Sequence, residues 1–295
     1  MKTIFLLVLR LALLTVLYFI LFAVCSALFI PRLTPEATPS DQTNVLLALL
    51  TVSVVNTCVL TYLILRSRLS GWKLALTVFI FFFGTAIVMP QIETAVFVTQ
   101  LPPGMLPRII LSGFFLALLF SFAAVLILGK HKPAQHVEGV NVRLAPVQWL
   151  IRLTLIGLVY VVVYFTFGYF IAWQSAAVRE YYHGTDPGNF LVQLKSVFSD
   201  TPWLFPLQFL RGVLWAVIAL PLVRVLKGRR WEIGLAMALG FAICTSSQLL
   251  IPNPLMPYAV RMAHLLETST SNFLFGWLVV VLLTANKSAA TDTYV

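Results

Sequence analysis

The sequence predicts an all-α integral membrane protein of about eight transmembrane helices, set out as two parallel, same-orientation four-helix repeats with both termini in the cytoplasm. Three observations carry this. The chain is 60% hydrophobic and only 10% charged, with a mean hydropathy of +0.95, whereas in soluble domains about a quarter of the residues are charged. Eight apolar runs approach the roughly 20 residues that cross a bilayer as a helix, the form that satisfies its own backbone polar groups in lipid. The chain also repeats itself: LRLALLTVLYFILF at 9–22 and IRLTLIGLVYVVVYF at 151–165 set Arg10 and Tyr18 in register with Arg152 and Tyr160.

The first run, near 4–30, reads as a retained helix. Arg10 interrupts it, it is longer than a signal core, and it ends at Pro31 without a small-residue cleavage site. Residues 31–44 are proline-rich and polar, a short outer loop. The second run, near 45–65, carries a polar stripe of Thr51, Ser53, Asn56, Thr57 and Thr61, the kind that hydrogen-bonds a neighbouring helix. A basic turn leads through Trp72 into the third run, near 72–89, which ends in Met-Pro-Gln, and the fourth covers 108–128. These make a first unit over 1–129, joined by a polar linker at 130–146 whose His131 and His136 read as solvated.

A second unit covers 147–286, with runs near 147–173, 203–225, 231–251 and 268–285 and a polar tail at 287–295. A basic turn into Trp231 and an Ile-Pro-Asn at 251–253 answer those of the first unit, and a longer loop accounts for the unequal spacing. That loop places Phe190, Leu191, Leu194, Val197 and Phe198 on one face of a helix too short to span. An interfacial helix near 188–199 follows. Asp200 or Thr201 is expected to cap the next span, with Pro202 in its first turn.

The net charge of +10 is topological. With the N-terminus inside, fourteen of the twenty basic residues fall on the cytoplasmic side and seven of the ten acids on the other, the positive-inside asymmetry expected of a prokaryotic plasma membrane protein. The bilayer is therefore the expected partner, and nucleic acid is not. Cys25, Cys58 and Cys244 stand singly without metal-ligand spacing, so neither a metal nor a cofactor is expected.

Arg211 is the most anomalous residue, about eight positions inside the sixth run. A charge at mid-helix costs about 2.5 to 3.5 kcal/mol on insertion scales, so a partner is expected. Glu93 and Glu267 lie at the matching depth, and snorkelling to the outer interface is the alternative. The stretch 257–276, if helical, sets Arg261, His264 and Glu267 on one broad face, with Asn272 following and Thr245, Ser246, Ser247 and Gln248 at the same level. A histidine one turn from a glutamate is a candidate acid/base pair, two candidate metal ligands, or an orienting ion pair at a helix mouth. The CAAX-protease-like intramembrane family also uses glutamate, histidine and asparagine, but its adjacent glutamate pair is absent and its activity is not carried over. Arg10 and Arg152 read as snorkelling residues, or as a site for an anionic lipid headgroup.

These residues point to a membrane-embedded protein that binds or transports a small molecule or lipid at a polar outer-leaflet site of Arg211, Glu93, Arg261, His264, Glu267 and Asn272. Against transport, no helix broken by glycine and proline stands out at matching places in the two units. The rival readings are an intramembrane enzyme with His264 and Glu267 as catalytic groups on a lipid-linked or periplasmic substrate, and a structural or accessory membrane subunit.

Overall fold

The computed structural model describes residues 2–31, 39–98, 101–132 and 145–284. The loop residues 32–38, the linker residues 133–144 with His136, and the tail 285–295 lie outside the described residues. Among those described, eight helices are long and apolar enough to cross a membrane, and extended pairing is confined to two isolated bridges.

The first two spans are α1 (Lys2–Phe29) and α2 (Pro39–Arg66). The third is built from α3 (Gly71–Phe83), a π-helical turn (Gly84–Val88) and α4 (Met89–Phe97), and α5 (Met105–Ile127) follows. The fifth span is α6 (Pro146–Phe167) prolonged by a π-helical turn (Gly168–Ala172). Two short helices, α7 (Ala176–Tyr181) and α8 (Phe190–Asp200), precede α9 (Leu204–Val225). Then come α10 (Arg230–Ser246), a 3-10 turn (Ser247–Leu250) and α11 (Tyr258–Leu283).

Two spans are longer than their apolar runs. The third continues to Phe97 rather than ending near 89, and the eighth begins at Tyr258 rather than near 268. Apolarity fades where Glu93, His264 and Glu267 enter, yet the helices persist there because those side chains find partners in the bundle.

The loop helix α8 buries none of its residues and exposes Leu191, Val192 and Phe198. The Asn189 side chain accepts from Val192 N–H at 3.0 Å and starts the helix, and Phe190 stacks on Phe170. The expected cap of the following span is absent. Asp200 accepts from Ser196 and Thr201 donates to the Val197 carbonyl, so both close α8 instead, and Trp203 precedes α9 without a side-chain cap.

In the bundle α1 packs against α2 and α5, and α3 against α5. Likewise α6 packs against α9 and α11, and α10 against α11. Between these groups α2 meets α10 and α3 meets α9. Tyr18 lies edge-on to Phe120 at 5.1 Å, and Tyr160 lies against Phe275 at 4.8 Å. The first group is closed by Phe82 on Phe120 and the second by Phe241 on Phe275.

Close approaches need glycine. A Cβ on Gly212 of α9 would lie 2.5 Å from the Tyr160 Cβ and 3.0 Å from the Gly157 Cα, so α6 and α9 touch nearly backbone to backbone. That contact seats Tyr160 beside Arg211.

Two arginines close helix ends. Arg10 Nη1 donates to the Leu128 carbonyl at 3.3 Å, and Arg152 Nη1 donates to the Leu283 carbonyl at 2.6 Å. The last carbonyls of a helix lack intrahelical partners, and a cation suits that end of the dipole.

At the same end of the bundle the turn after α2 pairs antiparallel with the turn after α9. Arg68 N–H donates to Val225 O and Lys227 N–H to Arg66 O, both at 2.7 Å. Lys130 Nζ adds a bond of 2.8 Å to the Ser67 carbonyl.

Candidate functional site

The site lies at the opposite end, where α4, α6, α9 and α11 come together beneath the loop of α7. It starts from a fault in the third span. The π turn carries Met89 N–H to the Gly84 carbonyl, and Pro90 has no N–H to give. The Thr85 and Ala86 carbonyls thereby lose their ordinary helical donors. Side chains of the seventh span replace them: Thr245 Oγ1 donates to Thr85 O and Gln248 Nε2 to Ala86 O, each at 3.3 Å. Asn56 Nδ2 of α2 donates in turn to Ser247 Oγ at 2.8 Å. The seventh span is itself altered at this level, since α10 gives way to the 3-10 turn at Ser247. The third span thus carries a π turn, with Gly84 at its start and Pro90 just beyond it, and the seventh ends in a 3-10 turn that contains neither glycine nor proline.

Beyond the fault, α4 carries Glu93 to Arg211. The guanidinium forms an ion pair with the Glu93 carboxylate through Nη1. Nη1 also donates to Gln208 Oε1 at 2.6 Å, and Nη2 to the Met89 carbonyl at 3.3 Å. The Tyr160 ring stands 5.5 Å from the guanidinium carbon, within cation–π range. Arg211 is buried to 5% side-chain exposure, while the Glu93 side chain keeps 40%. Among the described residues, Arg211 Nε and Gln208 Nε2 are buried donors without an acceptor.

Glu267 does not reach Arg211. His264 Nδ1 lies 3.4 Å from Glu267 Oε2, and Thr268 Oγ1 donates to the same oxygen at 3.2 Å. His264 meets the Tyr182 ring edge-on. Both pairs bear on the Tyr182 hydroxyl of the loop, Glu93 from one and Glu267 from the other. In the loop, burial pushes the Tyr182 hydroxyl well above its usual range, and Glu93, Tyr181 and Glu267 push the same way.

Two further predicted residues join neither ion pair. Arg261 is buried and donates from Nη1 to the Leu249 carbonyl at 2.8 Å, with its guanidinium beside the Tyr258 ring. It closes the end of the 3-10 turn. Asn272 is buried further along α11 and joins neither ion pair. No group of three or more His, Cys, Asp or Glu side chains among the described residues is placed to hold a metal.

The residues that the sequence reading missed are Gln208, Tyr160 and the Met89 carbonyl. Gln208 stands three positions before Arg211 and was legible as its neighbour on the helix face. Arg10 and Arg152, read as snorkelling residues or as a site for an anionic lipid headgroup, each donate to a main-chain carbonyl within the bundle.

In chemical terms the arrangement holds a fixed, desolvated cation behind a half-exposed carboxylate, next to a histidine–carboxylate pair. No protein-family model matches the chain, and neither a curated protein nor a solved structure gives a significant match.

Proposed function

We propose that this is a membrane-embedded binding or transport protein for a small molecule or lipid, built from two parallel copies of a four-helix unit in a prokaryotic plasma membrane. Both termini are cytoplasmic in this reading, which the side of the basic turns supports. The observation that carries the function is the Arg211–Glu93 pair: a buried guanidinium within a span, held by α9 and met by a carboxylate on an interrupted helix. Ionisable groups inside a membrane are costly, and they mark ligand paths by default.

The duplication is supported by matched packing in the two groups of helices, by the Arg10–Leu128 and Arg152–Leu283 bonds, and by the reciprocal contacts α2 to α10 and α3 to α9. Parallel repeats place a ligand where the copies meet, near the midplane and beside discontinuous helices. The junction of the π turn with α9 and α10 fits that place.

Purified protein in detergent, challenged with a panel of solutes and lipids, tests the reading. A compound that raises the unfolding temperature of the wild type but not of Arg211→Gln is expected, since ligand at a hundred times its Kd stabilises by about 2.7 kcal/mol. If every compound acts equally on both proteins, the site is not a ligand site.

The contact of His264 with Glu267 favours a second reading, acid/base chemistry on a lipid-linked or periplasmic substrate. Substrate turnover that vanishes in His264→Ala while ligand binding persists would support it. In a scaffold or accessory subunit, by contrast, neither binding nor turnover would depend on these pairs.

A further inference from the structure

We propose that Glu93 is an internal competitor of the ligand, occupying the face of Arg211 that an oxyanion, a carboxylate or phosphate group, takes when it binds. This rests on the reading of Arg211 as a ligand-binding residue.

The argument comes from the asymmetry of the pair. Arg211 is 5% exposed and Glu93 40%. The guanidinium has three supports besides Glu93: the Gln208 amide oxygen at 2.6 Å, the Met89 carbonyl at 3.3 Å and the Tyr160 ring. Glu93 has one. Among the described residues its carboxylate makes no hydrogen bond or ion pair except that with Arg211. Glu93 also rides on α4, a short helix set off by the π turn and Pro90, whereas Arg211 sits in the continuous α9. The arginine is the fixed member and the glutamate the removable one.

The pairing is also incomplete. A single Glu93 oxygen meets Nη1, although a guanidinium matches a carboxylate or phosphate through two parallel bonds. Arg211 Nε and Gln208 Nε2 remain as buried donors without an acceptor, enough for the further oxygens that an oxyanion brings. Glu267 does not contest the position, since His264 and Thr268 occupy its carboxylate. A neutral ligand offers nothing that displaces a carboxylate from a buried cation, and a cation is repelled there. An oxyanion fits both the charge and the spare donors.

The test compares wild type, Glu93→Gln and Arg211→Gln, as full-length protein in detergent at one pH and ionic strength. The probes are inorganic phosphate and succinate as solutes, and phosphatidylglycerol in mixed micelles as a headgroup. Glu93→Gln is expected to bind at least one probe roughly tenfold more tightly than wild type, because a competing charge is gone while an acceptor remains, and Arg211→Gln is expected to bind none. Tightening confined to phosphate or succinate supports the proposal and identifies a solute; tightening confined to phosphatidylglycerol supports it and identifies a lipid headgroup. Binding that is unchanged or weaker in Glu93→Gln, or that survives in Arg211→Gln, overturns it. If Glu93→Gln does not fold, Glu93→Asp replaces it, with tighter binding expected from a shortened competitor and unchanged binding overturning the idea. Arg211-dependent binding that ignores Glu93 sinks the competitor alone. Silence of every probe and of the wider panel in all variants sinks the binding reading with it.

Discussion

Arg152 and Leu283 are joined by a bond of 2.6 Å from guanidinium to main-chain carbonyl, made by a side chain that is only 7% exposed at the residue level. It caps the last span from the first span of the same helical group. Arg152→Met is therefore expected to destabilise the protein by about 1.5 to 3 kcal/mol, the usual range for a bond to a charged group. Arg10→Met removes the longer, half-buried bond to Leu128 and should cost less. Thermal unfolding in detergent ranks the two; equal stability of Arg152→Met and wild type would make the bond incidental.

Removing either member of the Arg211–Glu93 pair leaves the other uncompensated. Glu93→Ala alone is expected to cost about 3 to 5 kcal/mol because it leaves a buried guanidinium without its counter-charge, and the electrostatic cost of Arg211→Ala is expected to be smaller because the carboxylate it leaves is half-exposed. In a double-mutant cycle the coupling of Arg211 with Glu93 should exceed about 1 kcal/mol, and that with Glu267 should stay under about 0.5. The reverse order would place the partner on α11 rather than α4.

Gly276 sits where α11 crosses α10. An added Cβ would lie 2.8 Å from Met237 O and 2.9 Å from the Ala238 Cα, main-chain atoms that cannot swing aside. Gly276→Ala should cost about 1 to 3 kcal/mol through overpacking. Gly234→Ala is the control: its Cβ meets Trp277 at an ordinary 3.4 Å, and helix propensity favours alanine by about 1 kcal/mol. Unfolding temperatures should move in opposite directions.

Gln248→Leu strips the Ala86 carbonyl of its donor, an expected loss of about 1 to 3 kcal/mol. Pro90→Ala returns an N–H one turn from that carbonyl. In the Pro90→Ala background the Gln248→Leu penalty should therefore shrink, and strict additivity would show that the lost N–H is not what the glutamine replaces.

Lys130 is half-buried at the turns, where burial and then the neighbouring Lys227 hold its ammonium below the ordinary lysine value of 10.5. The unfolded chain keeps this proton where the fold has begun to release it. Stability then rises with pH between the lowered value and 10.5. Unfolding measured across the alkaline range should show this gain in wild type and lose it in Lys130→Gln.

The spans were legible because lipid admits so few backbone solutions: an apolar run of the right length is a helix. Where polarity enters, that argument stops, so the continuation to Phe97 and the start at Tyr258 were out of reach. The anomaly of Arg211 was visible, but its partner was not. Glu93 and Glu267 lie at similar depth, and the choice depends on the rotation of α9, set by the contact of Gly212 with Gly157. The recurrence of Arg10 and Arg152 was plain, yet their acceptors are carbonyls, which no side-chain pattern records. Likewise, the π turn follows from a register slip beside Pro90 that hydropathy does not see.

The turn after α2 and the turn after α9 meet through main-chain groups alone in the bonds of Arg68 to Val225 and Lys227 to Arg66. Amide and carbonyl are common to nearly every residue type. The two bonds themselves ask of RSRLSG and LKGRRW only that proline stay out of the donor positions, while the Arg66–Glu232 ion pair at 3.1 Å, the buried Ser67 and Leu226, and the positive φ of Gly71 and Gly228 fix other places in the turns. At the remaining positions the side chains are free to differ while the seam between the two groups of helices keeps its alignment.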